Sequence, residues 1–424
     1  MNTVTTMPCR LPVIGHGLPL LRRPLRFVTS LRDRGEVVRI HLGGVPAYVV
    51  TTPELTQRVL TGAAGEFTRD DVSDAVRAMF GRAVATLAGE EHLRRRRQLA
   101  PALRAARIRQ HVPTMADLAD QRARSWRPGD RIAVDAELFE LSLATLSTTL
   151  LGADLAPAAV AEIRRSLPVA LAEIPRRLLL PRRLRQLPTA ANRRFVTAAF
   201  RLRRVFRSVV AQRRAAGAGA GDLLSALVFE AGLCDDEAVD ELVGLLVAGV
   251  DTPAAAVGWV CHELGAHPEV EARLHAELDT VLGDGRVTVD RVAALPVTNA
   301  VIMEALRKYP AWINLLQAAT EVDLGAVRLP PGSTVAVSPY LLHHDPSRFS
   351  WPETFDPDRS FAGSLPFSTG VRKCPGEGFA LTEMAVQVAT IARRWRLRPT
   401  GPVRPVTRGV VVHADRLTMI AHAR

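Results

Sequence analysis

Along this chain the spacing of apolar residues changes from period two to period 3.6 and back. Val37 to Leu42 and Ala47 to Val50 alternate around Gly43-Gly44, the pattern of a β-hairpin. A helix is predicted to start at Pro53, where proline suits a first turn. From about residue 90 to 310, Leu, Ala and Arg recur at helical spacing, with breaks at Arg127-Pro128-Gly129-Asp130 and between Ala215 and Gly221. The Gly/Ala break is flanked by helices of like composition and reads as an interhelical loop. After Tyr309-Pro310, strand-like pieces run from Glu321 to Val337. A proline-rich meander follows from Asp345 to Arg359, then one helix to about Trp395. Beyond Arg404 the text returns to β type at Val410 to Val412 and Leu417 to Ile420. The predicted fold is mainly α with small β-sheets: a helical body with a long central helix, and a β-rich part drawn from both chain ends. Neither half completes its own sheets, so residues 1–424 are expected to form a single domain, without internal repeats.

Composition narrows the function classes. With 424 residues, 47% hydrophobic and 23% charged, the chain has the balance of a soluble globular protein with a large core. Lys308 and Lys373 are the only lysines among 55 basic residues, and the formal net charge is +12. An arginine-lined nucleic-acid groove is one reading of that charge. The arginines are spread from Arg10 to Arg424, however, and 5% aromatics leaves few stacking platforms, so no nucleic-acid partner is expected. Cys9, Cys234, Cys261 and Cys374 lack the spacing of a zinc site or a disulfide framework, pointing to a reducing compartment. The N-terminal apolar stretch is broken by Pro12, Gly15, His16 and Gly17, unlike a signal peptide. No uninterrupted apolar run approaches the roughly 18 residues of a membrane span. A cytoplasmic, monomeric protein is expected.

The chemistry gathers near the C-terminus. Cys374 sits just before a predicted helix, with Pro375 where a first helical residue belongs. The helix N-terminus and Arg372-Lys373 both favour a thiolate there. A lone cysteine in a glycine turn is usually structural. Here Phe367, Gly370, Arg372, Cys374 and Gly376 together fill the pattern F-x-x-G-x-R-x-C-x-G. Upstream, Glu304-Ala305-Leu306-Arg307 places an acid and a guanidinium on one helix face. Phe355-Asp356-Pro357-Asp358-Arg359 follows in the meander. Within the long apolar helix from about Asp236 to Ala266, Ala248-Gly249-Val250-Asp251-Thr252 sets an acid and a hydroxyl where burial penalises them unless they are used or satisfied. Pro253 denies the Gly249 carbonyl a donor, so the helix is expected to open there, with Thr252 bonding back to the Ala248 carbonyl.

These motifs, in this order, resemble the cytochrome P450 family over essentially the whole chain, from Leu11-Pro12-Val13-Ile14-Gly15 to the terminal strands. The resemblance implies the P450 fold and heme b (iron protoporphyrin IX), with Cys374 as its axial ligand and Phe367 and Gly376 in the haem loop. Glu304, Arg307 and Arg359 would form a structural ion network. Asp251 and Thr252 would be the proton-handling pair beside bound dioxygen, which favours a true monooxygenase. Gly89-Glu90-Glu91-His92-Leu93-Arg94-Arg95-Arg96-Arg97 resembles the helix that grips a haem propionate, through His92 and Arg96, with Arg372 as a further anchor. Arg94 and Arg95 are expected to be solvated. Many relatives carry an arginine where this chain reads Asn314-Leu315-Leu316-Gln317-Ala318-Ala319, leaving Gln317 as a neutral donor.

By the same resemblance, an apolar small molecule would bind among the loop from Phe67 to Thr86, the region from Pro168 to Arg185, Ala255 and Ala256, Trp312 to Leu316, and Val411 to Val412. The text around Leu187 to Phe195 and Pro310 to Ile313 resembles actinobacterial members that oxidise sesquiterpenes. Electrons would come from a ferredoxin and its reductase, docking on a basic face of Arg372, Lys373 and Arg95. Two alternatives stay open: a polyketide, macrolide or fatty-acid hydroxylase of the same family, and a non-catalytic haem sensor or recruitment module. His343-His344 is assigned to the meander, and Cys9, Cys234 and Cys261 to no role.

Overall fold

Helical periodicity builds a body around one helix, Asp235–Ala266, which packs against Val134–Leu151, Ala190–Ala216, Pro296–Lys308 and Glu377–Ala392. The computed structural model describes the chain except residues 1–3, 9, 12–13, 63–64, 153–154, 180–181 and 218–221, and except the side chains of 70–73, 150–151, 179 and 182–183. Cys9, Pro12-Val13 and most of the Gly/Ala break therefore lie outside the described residues. The fold is mainly α with small sheets, as the periodicity predicts.

Among the described residues, one sheet runs Thr5–Thr6, Val37–Leu42, Val45–Val50, Thr334–Val337, Asn314–Ala318, Phe67–Thr68. Val45–Val50 pairs in parallel with Thr334–Val337, a segment of chain almost three hundred residues away. A second sheet pairs Trp395–Pro399 and Arg131–Ala133 with the terminal strand Thr418–Ala423. Pro405–Arg408 and Val411–Ala414 form a hairpin lying along the central helix, where Trp259 Nε1 donates to the Val412 carbonyl at 2.8 Å.

Three expectations change. The stretch from Phe67 to Thr86, read as a loop, contains the helix Asp70–Phe80, whose buried Ala75, Val76 and Met79 repeat at helical spacing. The C-terminal helix stops at Ala392, and Trp395–Pro399 is a strand because its alternating burial seats Trp395 and Leu397 under the sheet. Finally, Asp235–Ala266 is long and apolar enough to cross a membrane by length and composition, although 78% of its most apolar stretch is buried. A helix wrapped by neighbours on nearly all sides reads as apolar all round.

Glu383, on the helix after Cys374, is fully buried; Gln387 donates to its Oε1 at 2.8 Å, and its Oε2 has no partner. Burial pushes its pKa up to about 8, partly opposed by Ser142 and Gln387. Folding then takes up a proton between the unfolded value near 4.5 and about 8, so this group erodes stability as pH rises across that window. Glu383→Gln removes the uptake. The variant's stability relative to the parent should improve with pH between 5 and 8, by at most about 1.4 kcal/mol per pH unit. A pH-independent difference in denaturation midpoints would refute it.

Candidate functional site

The loop before Glu377–Ala392 is closed by a hydrogen bond from the Cys374 amide to the Phe367 carbonyl at 2.9 Å. Within it, Ser368 and Gly370 have φ of 61° and 67°. At Gly370 glycine is required twice, because a Cβ there would stand 2.3 Å from the Leu60 carbonyl oxygen. At Gly376 a Cβ would meet only Cys374 Sγ, at 3.9 Å, so glycine keeps clear the space beside the sulfur. Burial raises the thiol pKa and outweighs the Gly376 amide, Arg96 and Lys373, which lower it. That reverses the expectation that the helix end and Arg372-Lys373 settle a thiolate; a coordinated metal deprotonates a thiol outright.

Basic groups gather on one side of this loop. Arg96 donates to the Lys373 carbonyl at 2.5 Å, His92 Nε2 lies 3.1 Å from the Val371 carbonyl, and Arg372 Nη1 lies 2.9 Å from His92 Nδ1. His92 is buried, and burial together with Arg372 lowers its pKa. The structure thus brings His92, Arg96 and Arg372 together beside Cys374; the His92 ring lies between the Val84 and Val371 carbonyls, so the charges suited to a carboxylate are the guanidiniums of Arg96 and Arg372.

Arg95 departs from expectation. It is 1% exposed and pairs with Glu237 at 2.5 Å and Glu241 at 2.7 Å, while Arg94 stays solvated. Two acids four residues apart in an apolar helix were the missed signal of a buried cation. The same Glu241 accepts from the Val84 amide at 2.8 Å, so this pair ties the helix Gly89–Leu99 and the loop before it to the central helix. Arg95 is unavailable to any docking face.

On the central helix, Ala248 and Thr252 are exposed amid buried neighbours, so one four-residue step of its surface is not covered by protein. Gly249 is dictated by packing: a Cβ would lie 2.7 Å from Leu146 Cδ1. The helix runs on through Pro253 without opening, and among the described residues no hydrogen bond reaches the Thr252 hydroxyl. The expected bond to Ala248 is therefore not made; the hydroxyl faces the uncovered side. Asp251 is half-buried with Oδ2 3.1 Å from His413 Nε2, a partner 162 positions away that no local pattern announces.

Glu304, Arg307 and Arg359 meet in the interior. Arg307 holds both oxygens of Glu304, at 2.7 and 2.9 Å, and Arg359 Nε adds a bond to Oε1 at 3.0 Å. Arg307 also donates to the carbonyls of His343 and Pro352, fastening the meander to the helix Pro296–Lys308. His343 lies at the end of the short helix Pro339–His343, not in the meander itself, and Leu365 donates to its Nε2 at 2.7 Å.

Residues 6–420 match the family model described as Cytochrome P450. The chain is 37% identical over 414 residues to cyclooctat-9-en-7-ol 5-monooxygenase of Streptomyces melanosporofaciens, covering 94% of this chain and 90% of that one. It is 38% identical to cyclooctatin synthase of the same organism, over 93% and 90% of the two chains. It is 35% identical to pentalenene oxygenase of Streptomyces avermitilis, over 99% and 97%. With its helical body and both chain ends drawn into the sheets, the protein belongs to the cytochrome P450 family, whose members bind heme b.

Proposed function

We propose that this monooxygenase, with residues 1–424 acting as one unit in the cytoplasm, oxidises an apolar terpenoid using dioxygen and electrons delivered by a ferredoxin and its reductase. The observation that carries the reading is a cleared cysteine loop together with a central helix that, between its two exposed ends, is exposed only at Ala248 and Thr252. The terpenoid class rests on relatives that are terpenoid monooxygenases. Among the described residues the cysteines are free, in keeping with a reducing compartment.

The donor set fits a haem: one thiol with clear space beside it, and the guanidiniums of Arg96 and Arg372, gathered around His92, suited to a carboxylate. When bound, the haem activates dioxygen so that one oxygen atom reaches the substrate and the other leaves as water, consuming two electrons and two protons. Cys374 Sγ holds the iron, and Phe367 and Gly376 shape the loop around it. Thr252 Oγ1, free of intrahelical bonds, holds a proton-bearing water on the uncovered face. Asp251 Oδ2 passes protons from solvent to that water, and His413 fixes the carboxylate. Ala248 and Ala255 present no polar atom, so an apolar substrate is held by shape.

The test is reconstitution with a ferredoxin, its reductase and cyclic terpene hydrocarbons. A product carrying one labelled oxygen from dioxygen supports the reading, with a rate that falls as salt rises because exposed Lys373 and its neighbours face an acidic partner. Lack of turnover with every terpene, alongside turnover of a fatty acid or macrolide, would replace the substrate class. Thr252→Ala should lower product by about 10²-fold while reductant is still consumed. Equal losses of both would remove the hydroxyl's proton role.

A further inference from the structure

Heme b carries two carboxylates, and the cluster of His92, Arg96 and Arg372 suits one. We infer that Arg69 holds the other, resting on the haem-thiolate reading above. Arg69 follows directly after the strand Phe67–Thr68, which pairs antiparallel with Asn314–Ala318, Thr68 opposite Gln317. That register brings Arg69 alongside Leu316-Gln317, the segment where the expected arginine is missing from this chain. The bond from the Ala319 amide to the Glu66 carbonyl, 2.8 Å, locks the register.

Among the described residues no acid and no hydrogen bond reaches the Arg69 guanidinium, and its Nε is buried without a partner. The Thr68 hydroxyl beside it is buried and unpartnered as well. Burial lowers the Arg69 pKa with no acidic group opposing, and the residue still keeps some accessible area. A desolvated cation without a counter-ion is costly unless an anion arrives. The cysteine loop lies close by: Leu365, two positions before Phe367, packs in the same small apolar cluster as Phe67, Leu316 and Ala318. Gln317 itself is engaged, donating to the Gly332 carbonyl at 3.1 Å. Arg69 therefore supplies from the neighbouring strand the charge that Gln317 cannot, with Thr68 as a second donor.

The experiment measures haem release to excess apomyoglobin from the ferric holoenzyme. The parent must first give the red-shifted carbon monoxide band of a haem thiolate; failure there overturns the underlying reading, not the anchor alone. With that band in place, Arg69→Ala should release haem about tenfold faster, Arg69→Lys should stay near the parent, and adding Gln317→Arg to Arg69→Ala should restore retention. Should the alanine variant not fold, Arg69→Gln, which removes the charge but keeps a donor, is read in the same way. Unchanged haem release overturns the assignment. So does weaker terpene binding with unchanged release, which would place Arg69 at the substrate.

Discussion

Cys374→His is expected to abolish the red-shifted Soret band of the reduced, carbon monoxide-treated protein, leaving a band at the position of histidine-ligated haem, and to lower turnover by 10³-fold or more, on the order seen when a group acting in every cycle is lost. The sulfur cannot be replaced from within the loop. Gly370 pins the backbone against the Leu60 carbonyl, Gly376 clears the space beside Sγ, and the bond from the Cys374 amide to Phe367 fixes the approach. A neutral imidazole in that place lacks the electron donation by which a thiolate favours O–O cleavage. Difference spectra of parent and variant decide it, and a red-shifted band surviving in the variant would show that another group ligates the iron.

Arg307→Leu should cost about 3–5 kcal/mol, a large share of the 5–15 kcal/mol that holds most domains folded. Neither Arg307 nor Glu304 has exposed side-chain area, so removing the guanidinium strands a carboxylate in the interior. It also frees the carbonyls of His343 and Pro352, loosening the meander just ahead of the cysteine loop. Leucine at both 304 and 307 should lose less than Arg307→Leu alone, because no charge is stranded. Urea midpoints with matched slopes give the comparison; a loss under about 1 kcal/mol for the single variant would mean that Arg359 and the Asp356 amide satisfy Glu304 without it.

Local patterns made much of this legible. The Gly43-Gly44 hairpin, the helix start at Pro53 and the long core helix follow from periodicity and turn chemistry, which act between residues close in sequence. Motif spacing likewise located Cys374 and the acid–arginine pair. What stayed hidden was set by partners far along the chain. Arg95 looked like one charge in a solvated run until Glu237 and Glu241 met it, and Asp251 gave no hint of His413. Strand Trp395–Pro399 borrowed its identity from the terminal strand Thr418–Ala423. Thr252 shows the converse, since its helix spacing permitted a bond that the structure leaves unmade.

The parallel pairing of Val45–Val50 with Thr334–Val337, and the antiparallel pairing of Arg131–Ala133 with Thr418–Ala423, bear on how the protein is made. A nascent chain holds an incomplete first sheet until Thr334–Val337 has been synthesised, and the second sheet waits for Thr418–Ala423 to clear the exit tunnel. Through that interval the apolar flanks of the central helix lack the cysteine helix that covers them. Cys374 is made after the central helix and most of the helices around it, so a haem held by Cys374 would be captured late in synthesis.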